Sequence, residues 1–232
     1  MPDGRVARRS VLITGASRGL GRELTLQYAV AGWNVFACSR AGATSGGQDG
    51  AEHHVLDVAD AGSIAGLAER LRGRPIDVLI NNAAIRGGTG GLSKLDADDF
   101  LSVMRVNALA PLLVVRAFLP NLLAGRRRLI ANISSRAGSM AEGTIGDADG
   151  DYSYRCSKAA LNMATTKLAV DLKHLDIKVL SLHPGWIKTD MGGHEADTGV
   201  TESAAGIMAI IERAGSADSG SFRTFEGRAV AW

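Results

Sequence analysis

The chain has 232 residues, of which 46% are hydrophobic and 22% are charged, and its formal net charge is +2. This size allows the core of a single α/β domain, and the small net charge argues against a nucleic-acid-binding surface. Residues 1–5 contain no apolar leader, and no apolar run approaches the roughly 20 residues of a membrane span, so we expect a soluble, cytoplasmic protein that binds neither membranes nor nucleic acid.

A glycine turn follows the first predicted strand. Residues 10–14 form a short apolar run typical of a buried strand, and a helical pattern runs from Arg22 to the residue before Gly32. Glycines allow the backbone to approach a pyrophosphate closely, and the N–H groups at a helix N-terminus attract its charge. The spacing is GxxxGxG rather than GxGxxG, and the predicted phosphate-binding residues are Gly15, Ser17, Arg18, Gly19, Leu20 and Gly21.

The second predicted strand, residues 34–38, ends at Ser39 and Arg40, where a nicotinamide-binding fold selects its ribose. An acidic side chain at this point would accept a hydrogen bond from the ribose 2′-hydroxyl, and none is present. Arg40 and Arg18 instead offer guanidinium groups suited to a 2′-phosphate. The sequence therefore predicts NADP(H) as the cofactor.

The next elements continue the alternation of strands and helices. Residues 53–58 and 77–81 are predicted strands separated by a helix over residues 61–72. A long apolar helical pattern over residues 96–123 contains the polar Asn107, and Pro111 is expected to bend or interrupt it. The predicted fifth strand, residues 128–133, ends in two hydroxyl residues, Ser134 and Ser135. Polar groups at the carboxyl ends of parallel strands face the ligand crevice of such a sheet.

Tyr154 and Lys158 lie four residues apart in a helix predicted to begin near Tyr152. At this spacing the two side chains share a helix face, and an ammonium beside a phenol favours the phenolate. The pair is therefore a candidate for proton transfer. An acidic loop, residues 142–151, precedes this helix and is predicted to lie near the mouth of the site.

The predicted sixth strand, residues 177–183, is followed by a helix over residues 202–213 and a last strand over residues 221–225. The regular alternation predicts a doubly wound parallel sheet, the Rossmann fold, with helices on both faces. The whole chain, residues 1–232, is predicted to be one domain. Cys38 and Cys156 fit no metal-binding spacing, so no metal site is expected.

Six motifs together resemble the short-chain dehydrogenase/reductase family. They are the turn over residues 14–21, Asn81-Asn82-Ala83-Ala84, Asn107, Ser134-Ser135, Tyr154-x-x-x-Lys158 and Pro184-Gly185-x-x-x-Thr189. The amino-acid sequence from Tyr154 and from His183 onward is similar to that of the branch that contains carbonyl reductases and C-signal-type proteins. The resemblance covers nearly the whole chain.

The resemblance implies a role for each matching residue. Tyr154 would be the general acid in reduction, and Ser135 would hold and polarise the substrate carbonyl. Lys158 would bind the nicotinamide ribose and lower the pKa of Tyr154, while Asn107 would shape the active-site helix and hold a water that links Lys158 to solvent. The resemblance also implies cofactor contacts from Asp57, Val58, Asn81, Ala83, Pro184, Gly185, Ile187 and Thr189.

The chain departs from the family pattern at two points. Ala84 replaces the usual glycine, and the interval from Ser135 to Tyr154 is longer than usual, which leaves Ser134 as an alternative to Ser135. Tyr152 is a weaker alternative to Tyr154 because its i+4 partner is Cys156. The segment 192–200 is short where a substrate lid would lie, so an open pocket is expected.

The first functional hypothesis is an NADPH-dependent reductase that converts a ketone or aldehyde to an alcohol. The alternative is a signalling or regulatory protein of the same fold that binds the dinucleotide and turns over slowly. A small-molecule carbonyl or alcohol is the expected substrate. The resemblance also implies a homodimer or homotetramer.

Overall fold

Seven parallel strands form a single sheet in the computed structural model, which describes residues 8–42, 49–143 and 150–232. The strand order is β3-β2-β1-β4-β5-β6-β7. The strands are β1 (Ser10–Thr14), β2 (Asn34–Ser39), β3 (Glu52–Val55), β4 (Val78–Asn81), β5 (Leu129–Ile133), β6 (Lys178–His183) and β7 (Phe222–Thr224). The doubly wound fold predicted from the sequence is confirmed, although β3 ends two residues before Asp57 rather than after it.

Helices cover both faces of the sheet. They are α1 (Gly19–Val30), α2 (Ala61–Arg70), α3 (Ala97–Met104), α4 (Ala110–Ala124), α5 (Tyr152–Asp171) and α6 (Val200–Arg213). Residues of α1 and α6 form one buried apolar cluster with the sheet, and residues of α2, α4 and α5 form a second cluster on the opposite face. Strands covered on both faces need apolar side chains at every position, which explains why they appear in the sequence as continuous apolar runs.

The predicted long helix is interrupted by a π-helical turn, Arg105–Leu109, between α3 and α4. The turn lies directly before Pro111, where the sequence predicted a bend or interruption, and inside a continuous helix a proline lacks the N–H that would bond to the preceding turn. The combined helix, Ala97–Ala124, has an 18-residue window of mean hydropathy 1.6 and is, by length and composition alone, long enough to cross a membrane. Phe118 and Leu122 are fully buried in the second cluster, so this helix contributes to the core.

The chain order reverses between β1 and β4, which are neighbours at the centre of the sheet. Open α/β sheets bind ligands in the crevice outside the carboxyl ends of their strands at such a reversal. The glycine turn after β1, the asparagines after β4, the serines after β5 and the Pro-Gly segment after β6 all follow carboxyl ends. The topology therefore brings the predicted site residues to one edge of the sheet.

Candidate active site

The glycine turn packs directly against the end of β4. Gly15 has a φ of +69°, and a Cβ atom there would lie 2.8 Å from the Cα of Ala83. A Cβ on Gly21 would lie 2.3 Å from the carbonyl oxygen of Gly15, so neither position has room for a side chain. Asn82 Nδ2 donates to the carbonyl oxygens of Thr14, at 2.9 Å, and Gly15, at 3.2 Å. Asn82 thus fixes the turn, a role that the sequence reading did not assign to it.

The N-terminus of α1 lies open at this turn. Its N-cap, Arg18, makes no side-chain hydrogen bond to the helix, and no other described side chain caps the first N–H groups. Those groups can therefore accept an anion. Ser17 is half-buried beside them, whereas the Leu20 side chain is buried in the core, which leaves only the Leu20 backbone to face a ligand.

The two predicted 2′-phosphate ligands differ in their surroundings. Arg40 is exposed, and no ion pair engages it within the described residues. The Arg18 guanidinium instead lies 2.8 Å from a carboxylate oxygen of Asp190, in the segment after β6, and both side chains are about three-quarters exposed, at 73% and 75%. An ion pair this exposed contributes little stability, so Arg18 can exchange its partner.

Side chains at the ends of β2, β3 and β4 are largely engaged with the protein itself. Ser39 Oγ donates to the carbonyl oxygen of Gly42 at 3.0 Å, and Asp57 Oδ1 accepts from the backbone N–H of Ala59 at 2.9 Å. Asn81 is buried, and its Nδ2 donates to Asn132 Oδ1 at 2.9 Å. The Asn81 amide thus lies inside the sheet, and the expected ribose contact of Asn81 stays a prediction.

The segment after β6 folds back toward the glycine turn. In this segment Pro184 is half-buried and Gly185 has a φ of +84°. Val58, which follows β3, is also half-buried. Ile187 pairs with Thr198 in an isolated β-bridge, and Trp186 Nε1 donates to the carbonyl oxygen of Gly192 at 2.7 Å. The Thr189 methyl group faces Gly19 across the crevice. Residues 187–190 therefore lie against the turn.

The structure distinguishes the two serines and the two tyrosines. Ser135 is the N-cap of a 3₁₀ turn, Arg136–Gly138, and its hydroxyl lies close enough to the partly buried Tyr154 to lower the pKa of that phenol. Ser134 is buried and donates to Asn162 Oδ1 at 2.6 Å, so its hydroxyl faces the core. Tyr152 is 44% exposed. Ser135 and Tyr154 are thus the two hydroxyls that meet in the crevice.

Lys158 is 2% exposed, and its Nζ donates to the carbonyl oxygen of Ile133 at 2.7 Å. Burial lowers the pKa of Lys158 to about 7, because the ammonium loses its hydration. Burial also raises the pKa of Tyr154, and the hydrogen bond from Ser135 opposes that rise. The expectation that Lys158 lowers the Tyr154 pKa stays a prediction: in the protein alone Nζ lies 5.6 Å from the centroid of the Tyr154 ring and donates to a carbonyl.

Asn107 lies in the π-helical turn and is buried. Its Oδ1 accepts from the N–H of Ile85 at 2.9 Å, and its Nδ2 donates to the Ile85 carbonyl at 2.8 Å and to Ser157 Oγ at 3.0 Å. Ser157 Oγ in turn donates to the carbonyl oxygen of Tyr154 at 2.7 Å. Asn107 thereby connects the end of β4 to the first turn of α5. The connection runs through Ser157, a residue to which the sequence motifs assign no role.

The predicted acidic loop lies partly outside the described residues, which exclude 144–149. Of its described acids, Asp151 is buried and lies 2.5 Å from Arg155 and 3.7 Å from Arg86. Glu142 Oε1 accepts from the backbone N–H of Ala231 at 2.9 Å. Asp151 therefore ties the start of α5 to the loop after β4, and Glu142 is bonded to the C-terminal segment. The described residues contain no group of three or more metal-ligating side chains.

The arrangement fits a nicotinamide dinucleotide at two places. The crowded glycine turn and the open N-terminus of α1 form a cradle for phosphate. The Lys158 ammonium has three donors, and within the described residues it uses one of them, on Ile133. The other two donors could bind ribose hydroxyls.

A family model described as short chain dehydrogenase matches residues 9–199. The chain belongs to the short-chain dehydrogenase family. The C-signal protein of Myxococcus xanthus is 42% identical to this family member over 158 residues, which cover 68% of the chain and 93% of that protein.

Solved structures of other short-chain dehydrogenases share the fold. An NADPH-bound carbonyl reductase from chicken fatty liver superposes with a TM-score of 0.87 and is 35% identical, covering 98% of this chain and all of that one. A carbonyl reductase from Pseudomonas aeruginosa PAO1 in complex with NADP has a TM-score of 0.83 and is 31% identical, with 97% of this chain covered. The resemblance to the branch of carbonyl reductases and C-signal-type proteins is confirmed, and the protein is an oxidoreductase of this family.

Proposed function

We propose that the protein is an NADPH-dependent reductase that converts a ketone or aldehyde to an alcohol. The observation that carries the proposal is the contact between the Ser135 and Tyr154 hydroxyls at the carboxyl edge of the sheet, above the buried Lys158. Two convergent hydroxyls suit an oxygen atom that gains negative charge. The reductases from chicken fatty liver and P. aeruginosa support the same assignment.

The protein's residues would stabilise and protonate the carbonyl oxygen. NADPH, when bound, supplies the hydride. The Ser135 hydroxyl donates a hydrogen bond to the oxygen, and Tyr154 transfers its phenolic proton to it. The Ser135 hydroxyl favours release of this proton, because it lowers the pKa of Tyr154 against the effect of burial. Asn107 holds the backbone of α5 under Tyr154, through Ser157.

Cofactor selection would depend on Arg40 and Arg18. Arg40 is free to bind a 2′-phosphate, while Arg18 would first leave Asp190. Glycine-turn backbone N–H groups from Gly15 to Gly21 would hold the pyrophosphate. Ile187 and Thr189, in the segment that lies against the turn, would contact the nicotinamide end.

The direct test is NADPH oxidation, followed at 340 nm, across a panel of ketones, aldehydes and quinones of graded size. We expect turnover of several of these carbonyls, because two hydroxyls can stabilise the oxygen of any carbonyl that reaches them. Absence of turnover across the panel, with NADPH binding intact, would contradict the proposed reaction.

Arg40→Asp should shift the cofactor preference toward NADH. The substitution removes the exposed guanidinium and places a carboxylate where it can accept from a ribose 2′-hydroxyl while repelling a 2′-phosphate. We expect the ratio of kcat/KM for NADPH to that for NADH to fall on the order of a hundredfold, since a charge-assisted contact is lost and a repulsion is gained. Arg72→Asp, on an exposed arginine paired with Glu69 away from the crevice, is the control. An unchanged ratio in Arg40→Asp would refute the role of Arg40.

One observation favours the alternative, a signalling protein: the 42% identity to C-signal. The meeting of Ser135 with Tyr154 and the burial of Lys158 favour the enzyme, because a protein that only binds dinucleotide needs no such pair. NADPH binding with no turnover on any carbonyl would support the signalling alternative. The cytoplasmic location, the single domain and the oligomeric state stay predictions from the sequence.

A further inference from the structure

A second polar group of α5, Asn162, lies one helical turn beyond Lys158 and is 3% exposed. Its Oδ1 accepts from Ser134 Oγ at 2.6 Å and from Ser181 Oγ at 2.8 Å, while its Nδ2 donates to the carbonyl oxygen of Gly138 at 3.2 Å. We call these four residues the Asn162 cluster. It joins α5 to the end of β5, to β6 and to the 3₁₀ turn that Ser135 begins.

The 3₁₀ turn lies directly on the backbone of α5. A Cβ atom on Gly138 would lie 2.5 Å from the carbonyl carbon of Lys158 and 2.7 Å from the backbone nitrogen of Ala159. Ser135 caps this turn by accepting from the N–H of Ala137 at 3.1 Å. The height of the turn above α5 therefore sets the distance from Ser135 to Tyr154.

Asn162 bonds both sides of Ser135. Ser134 precedes it in the chain, and Gly138 ends the turn that follows it, so one amide fixes the strand end and the turn together. Buried amides and hydroxyls that satisfy one another hold a single geometry, because any shift leaves a donor or acceptor unpaired in the core. Sliding of the strand end along α5 would break these bonds.

We propose that Asn162 is a positioning residue that holds Ser135 in register with Tyr154, through its bonds to Ser134 and Gly138. The proposal rests on the proposed reductase function. Asn162 itself touches no reacting atom. Its influence is on the geometry of two hydroxyls, and a misplacement of about 1 Å in such a pair can lower a rate on the order of a hundredfold.

Asn162→Leu tests the proposal, because leucine keeps the volume and removes all three hydrogen bonds. We expect kcat to fall on the order of tenfold while the NADPH dissociation constant changes by less than about twofold, since the cofactor cradle is elsewhere. Asn121→Leu is the matched control: Asn121 is 4% exposed on α4, and its Nδ2 donates to the carbonyls of Leu71 and Arg74, far from the crevice. Both variants should lower the melting temperature, and only Asn162→Leu should lower kcat.

Ser134→Ala and Ser181→Ala provide a milder comparison if Asn162→Leu folds poorly. Each removes one hydroxyl bonded to the same Oδ1 atom, but only Ser134 adjoins Ser135 in the chain. We expect a larger fall in kcat for Ser134→Ala than for Ser181→Ala at similar loss of stability.

Equal kcat for Asn162→Leu and Asn121→Leu, or equal effects of the two serine variants, would overturn the positioning role. Failure of the proposed function would look different, because the wild-type protein itself would then reduce no carbonyl with NADPH.

Discussion

Tyr154→Phe should abolish most carbonyl reduction while leaving NADPH binding intact. The substitution removes a single hydroxyl, the phenol that meets Ser135 in the crevice, and keeps the ring that packs near Lys158. A positioned general acid contributes about 10²–10⁴ in rate, so we expect kcat to fall on the order of a thousandfold. Steady-state NADPH oxidation and fluorescence titration with NADPH measure the two quantities.

Tyr152→Phe is the control for this variant. Tyr152 is 44% exposed at the start of the same helix, two residues from Tyr154. Its loss of a hydroxyl should leave kcat unchanged within error. A Tyr154→Phe enzyme with near-normal turnover would show that another group protonates the product.

Ser135→Ala should produce the second largest loss. The Ser135 hydroxyl is the other donor directed at the expected carbonyl oxygen, and removing one donor to a developing oxyanion costs about 10²–10³ in rate. We expect kcat to fall on the order of a hundredfold, with the NADPH dissociation constant unchanged, because the glycine turn and Arg40 are untouched. Single-turnover reduction with NADPH in excess isolates the chemical step.

Ser134→Ala distinguishes a direct role of Ser135 in the reaction from a structural role of this segment. Ser134 lies next to Ser135, but its hydroxyl donates to Asn162 in the core, so its removal should lower kcat by several-fold only. Equal losses in the two serine variants would mean that Ser135 acts through structure and does not contact the carbonyl.

Most of the fold could be predicted because buried parallel strands and their helices leave strong local signals. β1 was predicted to the residue, since apolar side chains fill it and polar residues bound it. The end of β3 was not, because residues 56–58 continue its apolar pattern while the backbone turns to place Asp57 against Ala59. Pro111 predicted an interruption of the long helix but not its π-helical form, since nothing in local hydrophobicity separates that turn from a regular helix.

Site residues could be predicted where they belong to a sequence motif. Their hydrogen-bond partners could not, where these come from distant parts of the sequence. The i,i+4 spacing predicted that Tyr154 and Lys158 share one helix face. The burial of Lys158 and its hydrogen bond to Ile133 depend on β5, which is distant in the sequence. The same holds for Asn81, whose partner Asn132 is 51 residues away. Asn162 belongs to the stretch from Tyr154 that resembles the branch, but its role could not be predicted there, because its three partners come from three different elements.

The π-helical turn at Arg105–Leu109 limits which insertions and deletions the chain tolerates in this region. Successive residues of an α-helix are rotated by about 100°, so a wider turn changes the angular phase of α4 relative to α3. α3 packs against α5, and α4 packs against α2 and the sheet. The phase offset lets one continuous helix face two neighbours while Asn107 still points at Ile85 and Ser157. The number of residues between the buried Val103 and Phe118 is therefore constrained. Deleting one residue there would rotate one of these side chains by about 100°, toward water.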